Sequence, residues 1–127
     1  MVKTNQNDVV YAGNHRRMRF TLYEPDGVAV SDLTGCTLQW ALSRYTPTGD
    51  YETEALLRKD TATLGGVEVV GDPTGGVVDV VLLAADTEAL GGATYYQELE
   101  LIDPDGDSVV VATGALTVRK NVSNAAP

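Results

Sequence analysis

A single cysteine, Cys36, and a single histidine, His15, stand in this chain of 127 residues. One thiol cannot form an intramolecular disulfide, and the same counts exclude paired-cysteine and histidine-cluster metal motifs. Cys36 lies between Gly35 and the alternating Thr37-Leu38-Gln39-Trp40. It reads as a small buried hydrophobe, since no activating group stands beside it in sequence. Basic charge is also scarce, with nine Lys and Arg against eighteen Asp and Glu, a net charge of -9 and a pI near 4.3. Such a balance excludes a nucleic-acid binder, because phosphate neutralisation needs a basic face. No apolar run exceeds "VVLLAA" at 80–85, far short of a bilayer-spanning helix. "MVKTNQNDVV" lacks the apolar stretch of an export signal, so the expectation is a soluble chain with no membrane partner. Neither a phosphate-binding loop nor a local nucleophile, base and acid set is visible. The chain is therefore expected not to be an enzyme and to carry no cofactor.

Short alternating segments fill the space these absences leave. In "RRMRFTLY", Met18, Phe20 and Leu22 share one face and Arg17, Arg19 and Thr21 the other, which predicts a half-buried strand. "VAVS" is expected to run back after the turn "PDG". "CTLQWALSRY" points Cys36, Leu38, Trp40 and Leu42 inward, with Trp40 at the centre of the core. "TPTGDYETE" reads as a polar connection, followed by a strand around Leu56 to Lys59. "GGVEVVGDPTGGVVDVVLL" reads as a hairpin of two strands, each β-branched run opening after paired glycines. "AADTEALGG" is the one helical segment, a short turn capped by Asp86 or Thr87 and stopped by Gly91-Gly92. "TYYQELELI" then places Tyr95, Gln97, Leu99 and Leu101 on one side and Glu98 and Glu100 on the other, before "SVVVATG" and "ALTVRKNV".

Strands at roughly ten-residue intervals, punctuated by Gly, Pro and Asp, match an antiparallel sandwich. The expected fold is all-β, an immunoglobulin-like antiparallel β-sandwich of about seven to nine short strands, with a small β-barrel as the alternative. Residues 9–120 form the single domain, between a flexible N-terminal arm, 1–8, and a flexible C-terminal tail, 121–127, both expected to order against neighbours in an assembly.

Two stretches echo each other: "EPDGVAVSDLTG" at 24–35 and "DPDGDSVVVATG" at 103–114. The second places Asp103, Asp105 and Asp107 at alternate positions, a weak metal candidate. Calcium loops with that spacing also need glycine at position six and a bidentate glutamate at twelve. Here glycine falls at position four and Gly114 at twelve, so both copies are read as β-turns. Arg16, Arg17 and Arg19 form a basic strand face, either solvated or a dock for an acidic partner. Tyr23 and Tyr96 are expected to fall outside the core, and tyrosine is favoured at protein interfaces and in sugar-stacking sites. These five residues form the candidate protein interface.

The order of segments is itself informative. Asp32-Leu33-Thr34-Gly35, then Asp86-Thr87-Glu88-Ala89-Leu90, Gly92-Ala93-Thr94-Tyr95, Asp105-Gly106 and Gly114-Ala115-Leu116-Thr117-Val118 resemble the pattern of small β-sandwich virion proteins of tailed bacteriophages. The pattern is similar to the N-terminal domain of the baseplate upper protein family. The tyrosine lies one residue later than in that pattern, and Gln97 stands where a second aromatic is common. The resemblance implies a structural virion protein, an adaptor or attachment module in tail, baseplate or neck. Such a module docks onto other virion proteins and is present in multiple symmetric copies. A capsid decoration protein is the alternative within that class, and a carbohydrate-binding module using exposed tyrosines is the alternative outside it.

Overall fold

The computed structural model describes residues 4–120. Expectations for residues 1–3 and for the 121–127 tail lie outside the described residues. In chain order the elements are β1 (Thr4–Asn5), β2 (Asp8–Tyr11), β3 (Arg16–Thr21), β4 (Thr37–Arg44), β5 (Leu57–Asp60), β6 (Val67–Val69), β7 (Val77–Leu82), α1 (Ala84–Ala89), β8 (Ala93–Ile102) and β9 (Ser108–Arg119). The fold is all-β and sandwich-like. One sheet runs β1-β9-β8-β4-β5, with β2 also paired to β9, and the other runs β3-β7-β6.

Alternation sets which residues fill the space between the sheets. Leu38, Trp40 and Leu42 of β4 and Tyr95, Leu99 and Leu101 of β8 face Met18 and Phe20 of β3 and Val78, Val80 and Leu82 of β7, all of them buried. Trp40 has the largest fully buried side chain, and truncating such a residue to alanine costs about 3–5 kcal/mol.

The segments read as two strands, "SVVVATG" and the run beginning "ALTVR", form one strand over Ser108–Arg119, β9. Its register to β8 shifts at Leu99/Glu100, so Leu99 pairs with Ala112 but Glu100 with Val110. Val111 is the extra residue of a bulge. A one-residue slip exchanges the two faces of a strand, which is how Val111 and Ala112 are both buried and Leu116 and Val118 remain inward.

The N-terminal residues differ from expectation. Thr4 and Asn5 pair in parallel with Ala112 and Thr113, and Asp8 to Tyr11 pair in parallel with Leu116 to Arg119. Residues 4–8, expected in an arm, thus lie along β9, and the sandwich is not wholly antiparallel. Three further bonds fasten this strap between its two paired stretches. Gln6 N–H donates to Thr113 O at 2.9 Å, Ala115 N–H donates to Asn7 Oδ1 at 2.9 Å, and Gln97 Nε2 donates to Gln6 O at 3.1 Å. The approach is so close that a Cβ at residue 114 would collide with the Gln6 carbonyl, so Gly114 is required for space. Gln97 also accepts from Trp40 Nε1 at 3.1 Å, joining the core tryptophan to the strap. That role explains a glutamine on the inward face of β8: a buried amide satisfies a buried indole N–H and a backbone carbonyl together.

Two local expectations are corrected. "VAVS" makes a single bridge, Val30 with Tyr23, and forms no strand. Ser31 N–H bonds Leu22 O and Leu33 N–H bonds Pro73 O, which draws the chain across to the turn at Pro73–Gly75. In α1 the cap position is Leu83, whose N–H is accepted by Asp86 Oδ2 at 2.9 Å from inside the first turn. Thr87 is buried in the helix, where its hydroxyl accepts from Gly13 N–H and lies 3.0 Å from Asn14 O. The helix ends at Leu90 with extended backbone, ahead of the glycines.

The two echoed stretches form related corners. Gly27 N–H bonds Glu24 O and Gly106 N–H bonds Asp103 O, with φ of 72° and 91°. The acid that caps each differs. Asp26 Oδ1 accepts from Val28 and Ala29, whereas in the second corner Asp103 Oδ1 accepts from Asp105 and Asp107. Asp103 is thus engaged by backbone, and among the described residues no group of three His, Cys, Asp or Glu side chains is placed to hold a metal ion.

Candidate binding cleft

Residues that alternate outward from β4, β5 and β8 lie in register across the outer face of the larger sheet. Asp60 stands beside Gln39 and Gln39 beside Glu100; Arg58 stands beside Ala41 and Ala41 beside Glu98; Ser43 stands beside Tyr96. Ala41, with one side-chain carbon, leaves a depression between the longer groups around it.

The connection after β4 builds a wall over this face. Thr46 N–H bonds Asp50 O, Gly49 N–H bonds Thr46 O and Glu52 N–H bonds Arg44 O, so "YTPTGDY" folds back as a small hairpin with Tyr45 bridged to Tyr51. That return carries Tyr51 onto Tyr96, with ring centroids 3.8 Å apart and planes 9° from parallel. Tyr45 meets the same ring edge-on at 6.1 Å and 75°. Stacked and edge-to-face pairs of this kind contribute about 0.5–1.5 kcal/mol each beyond their buried area, enough to hold a short polar loop in one position. Tyr96 Oη donates to Glu98 Oε2 at 3.1 Å. Burial between the rings is the main cause that pushes the Tyr96 phenol well above its ordinary value, with Tyr51 and Glu98 adding to it.

The result is an open cleft of about 560 Å3 lined by Tyr51, Tyr96, Gln39, Arg58, Glu98 and Glu100, with Ala41 and Ser43 in its floor and Glu52 at its margin. No ion pair among the described residues engages Arg58, Glu52, Glu98 or Glu100. Asp60, also at the rim, is engaged by the N–H groups of Ala62, Thr63 and Leu64. Lys59, the neighbour of Arg58, is buried and pairs with Asp86 at 2.8 Å.

The five candidate interface residues do not come together. Tyr96 lies in the cleft. Arg16, Arg17 and Arg19 are on β3 in the other sheet, and Tyr23 follows that strand, half-buried and bridged to Val30. Arg19, Asp79 and Glu68 form one register row across β3, β7 and β6. Arg19 Nε and Arg17 Nη1 reach Asp79 at 2.9 and 3.1 Å, and Arg17 also reaches Glu68 at 2.8 Å. Asp79 is only 2% exposed beneath guanidinium groups that are themselves more than half exposed. The hydrogen bond from Arg19 is the main cause holding the Asp79 carboxyl below the usual carboxylate range. Arg16 was expected on the same face, but by alternation it lies on the Met18 side of the strand, and it pairs with Asp8 at 3.4 Å. This basic face thus carries its own carboxylates.

Sequence reading missed Tyr51, Gln39 and Arg58 as partners of Tyr96. Paired tyrosines flanking "TPTGD" were the available signal, since a turn-rich insert between two aromatics can fold one back toward the other.

No family model matches this chain, and no curated protein matches it. Among solved structures, a family 123 glycoside hydrolase from Clostridium perfringens, described in a study of glycolipid glycan hydrolysis, is similar over 94% of this chain at 9% identity and a TM-score of 0.36. This chain spans 23% of that protein's length. A likeness at that score carries no argument about function.

Proposed function

We propose that this chain is a non-enzymatic structural protein of a tailed-phage virion, an adaptor or attachment module that docks onto other virion proteins. The observation that carries the reading is where its resemblance to such proteins falls. Asp32 Oδ1 accepts from Thr34 N–H at 2.9 Å and Leu33 is buried, at the corner leading into β4. Asp86 and Thr87 fasten α1 to β5 and to the turn after β2. Gly114 admits the strap. The residues that carry the resemblance therefore stand at the joints of the sandwich, which supports reading the likeness as one of scaffold.

Two further features support a docking role. The smaller sheet has β3 and β6 at its edges and the larger has β5, and edge strands can bind partners through backbone hydrogen bonds without any catalytic group. The one thiol is poorly suited to nucleophilic chemistry: burial, with Asp103 and Asp32 nearby, raises the Cys36 value above that of a free thiol.

Antibody raised against the purified chain should label particles purified on density gradients from a lysate of the strain that encodes it. The chain should also co-purify with those particles at a fixed ratio to their other proteins. Particles that carry none of it would refute the reading.

A further inference from the structure

We propose that the cleft over Ala41 is a binding site for a neutral pyranose-containing glycan, an inference that goes beyond the virion reading and stands separately from it. The argument begins with the wall. Tyr51 is backed by Tyr96 at stacking distance and remains 42% exposed at the cleft margin. It is a rigid aromatic platform prepared before any ligand arrives, and the apolar C–H face of a pyranose packs on such a surface.

The rim supplies the other half of the recognition. Sugar hydroxyls both donate and accept, so they need both kinds of partner close together. Gln39 offers an amide that does both, Arg58 offers a planar set of donors, and Glu98 and Glu100 offer acceptors. These groups stand in adjacent register rows on three neighbouring strands, and the floor between them is open because residue 41 is alanine. The volume, about 560 Å3, lies within the roughly 300–1,000 Å3 range of small-molecule sites.

The same lining selects against other occupants. An anionic sugar would meet Glu52, Glu98 and Glu100 against Arg58, because the other cation of the lining, Lys59, is tied to Asp86, on a chain of net charge -9. A lysine- or arginine-rich segment would satisfy the carboxylates but set its charge against Arg58. An apolar segment would cover charged groups and leave them without partners, which is costly. A neutral polyol is the class that uses every group.

The test is titration of the isotope-labelled protein with neutral oligosaccharides of the gluco-, manno-, galacto- and N-acetylglucosamine series, with sialylated and sulfated glycans and a Lys-Arg peptide alongside, followed by amide shifts. At least one neutral series should saturate with a Kd between about 10 µM and a few mM, as expected for one open stacking site. Shifts should centre on residues 39–41, 51–52, 58 and 98–100. Tyr51→Ala should weaken binding about tenfold or more, about 1.4 kcal/mol. Arg58→Gln leaves the tyrosine stack in place and should weaken it several-fold, whereas Arg17→Ala on the opposite sheet should leave it unchanged. The proposal is overturned if no neutral glycan binds, if binding is indifferent to both Tyr51→Ala and Arg58→Gln, or if the basic peptide or an anionic glycan takes the same residues more tightly. None of these outcomes bears on whether antibody labels particles, so the two readings fail separately.

Discussion

Replacing Gly114 by alanine adds one methyl group where the N-terminal strap crosses β9. Its φ is not in the left-handed region, so the backbone itself accepts an L side chain, and the effect comes from space alone. The new Cβ meets the carbonyl of Gln6, a backbone group with no rotamer to move into, so residues 4–7 must lift away from β9. Lifting breaks the bonds from Gln6 N–H, from Ala115 N–H to Asn7, and from Gln97 to Gln6 O. At a net worth of about 0.5–1.5 kcal/mol each, the loss is about 1.5–4.5 kcal/mol. Reduced freedom of the unfolded chain at alanine offsets about 0.4–1 kcal/mol of that. The expected destabilisation is about 2 kcal/mol, a fall in Tm of about 5–10 °C for a domain of this size. Thermal melts would give the magnitude, and hydrogen exchange at the Gln6 and Ala115 amides would locate it. Gly27→Ala is the control: φ is +72° and nothing lies within 4 Å of the added carbon. It should cost only the left-handed strain, about 1–2 kcal/mol, and leave Gln6 protected. A Gly114→Ala protein that melts with the parent and keeps Gln6 protected would refute the strap.

Gln97→Leu should remove the acceptor of the Trp40 indole and the donor to Gln6 O, destabilising by about 1–3 kcal/mol in urea unfolding; a neutral or stabilising result would show that this buried junction contributes nothing. Asp79 governs an acid limb of stability. Its folded value is depressed, so the stabilisation is present above the unfolded value, near 4, and is lost as pH falls through the folded one. Asp79→Asn should therefore lower stability at neutral pH and flatten the decline below about pH 4, and superimposable pH profiles of urea midpoints for the two proteins would contradict the Arg17 and Arg19 assignment.

Much of the scaffold was open to reading along the chain, because strand periodicity is a local property. The inward sets Met18, Phe20 and Leu22, then Leu38, Trp40 and Leu42, then Tyr95, Gln97, Leu99 and Leu101, are all buried as alternation requires, whereas Cys36, expected inward with Trp40, is only half-buried at the margin of the core. The corners at Gly27 and Gly106 follow from turn chemistry written within four residues. Residues 4–8 were different. "TNQND" has no apolar period and reads as a polar arm, and it is held by bonds to Thr113, Ala115 and Gln97, far away in sequence. "VAVS" failed in the opposite sense, as a β-branched run whose backbone is claimed by Leu22 and whose exit is drawn to Pro73.

Within the cleft, it is legible along the chain that Glu98 and Glu100 share a face with Tyr96, since residues two apart on a strand must. So is the placing of the three arginines near the N-terminus on one strand. The packed fold alone brings Asp79 and Glu68 to Arg17 and Arg19, returns Tyr51 to stack on Tyr96, and sets Gln39 and Arg58 in the rows beside Glu100 and Glu98. Those juxtapositions depend on which strands neighbour one another and in what register. Neighbour and register are set by the burial of the opposite face, so beyond the tyrosines that flank "TPTGD" no residue of the cleft carries a local signal for where its partners will be.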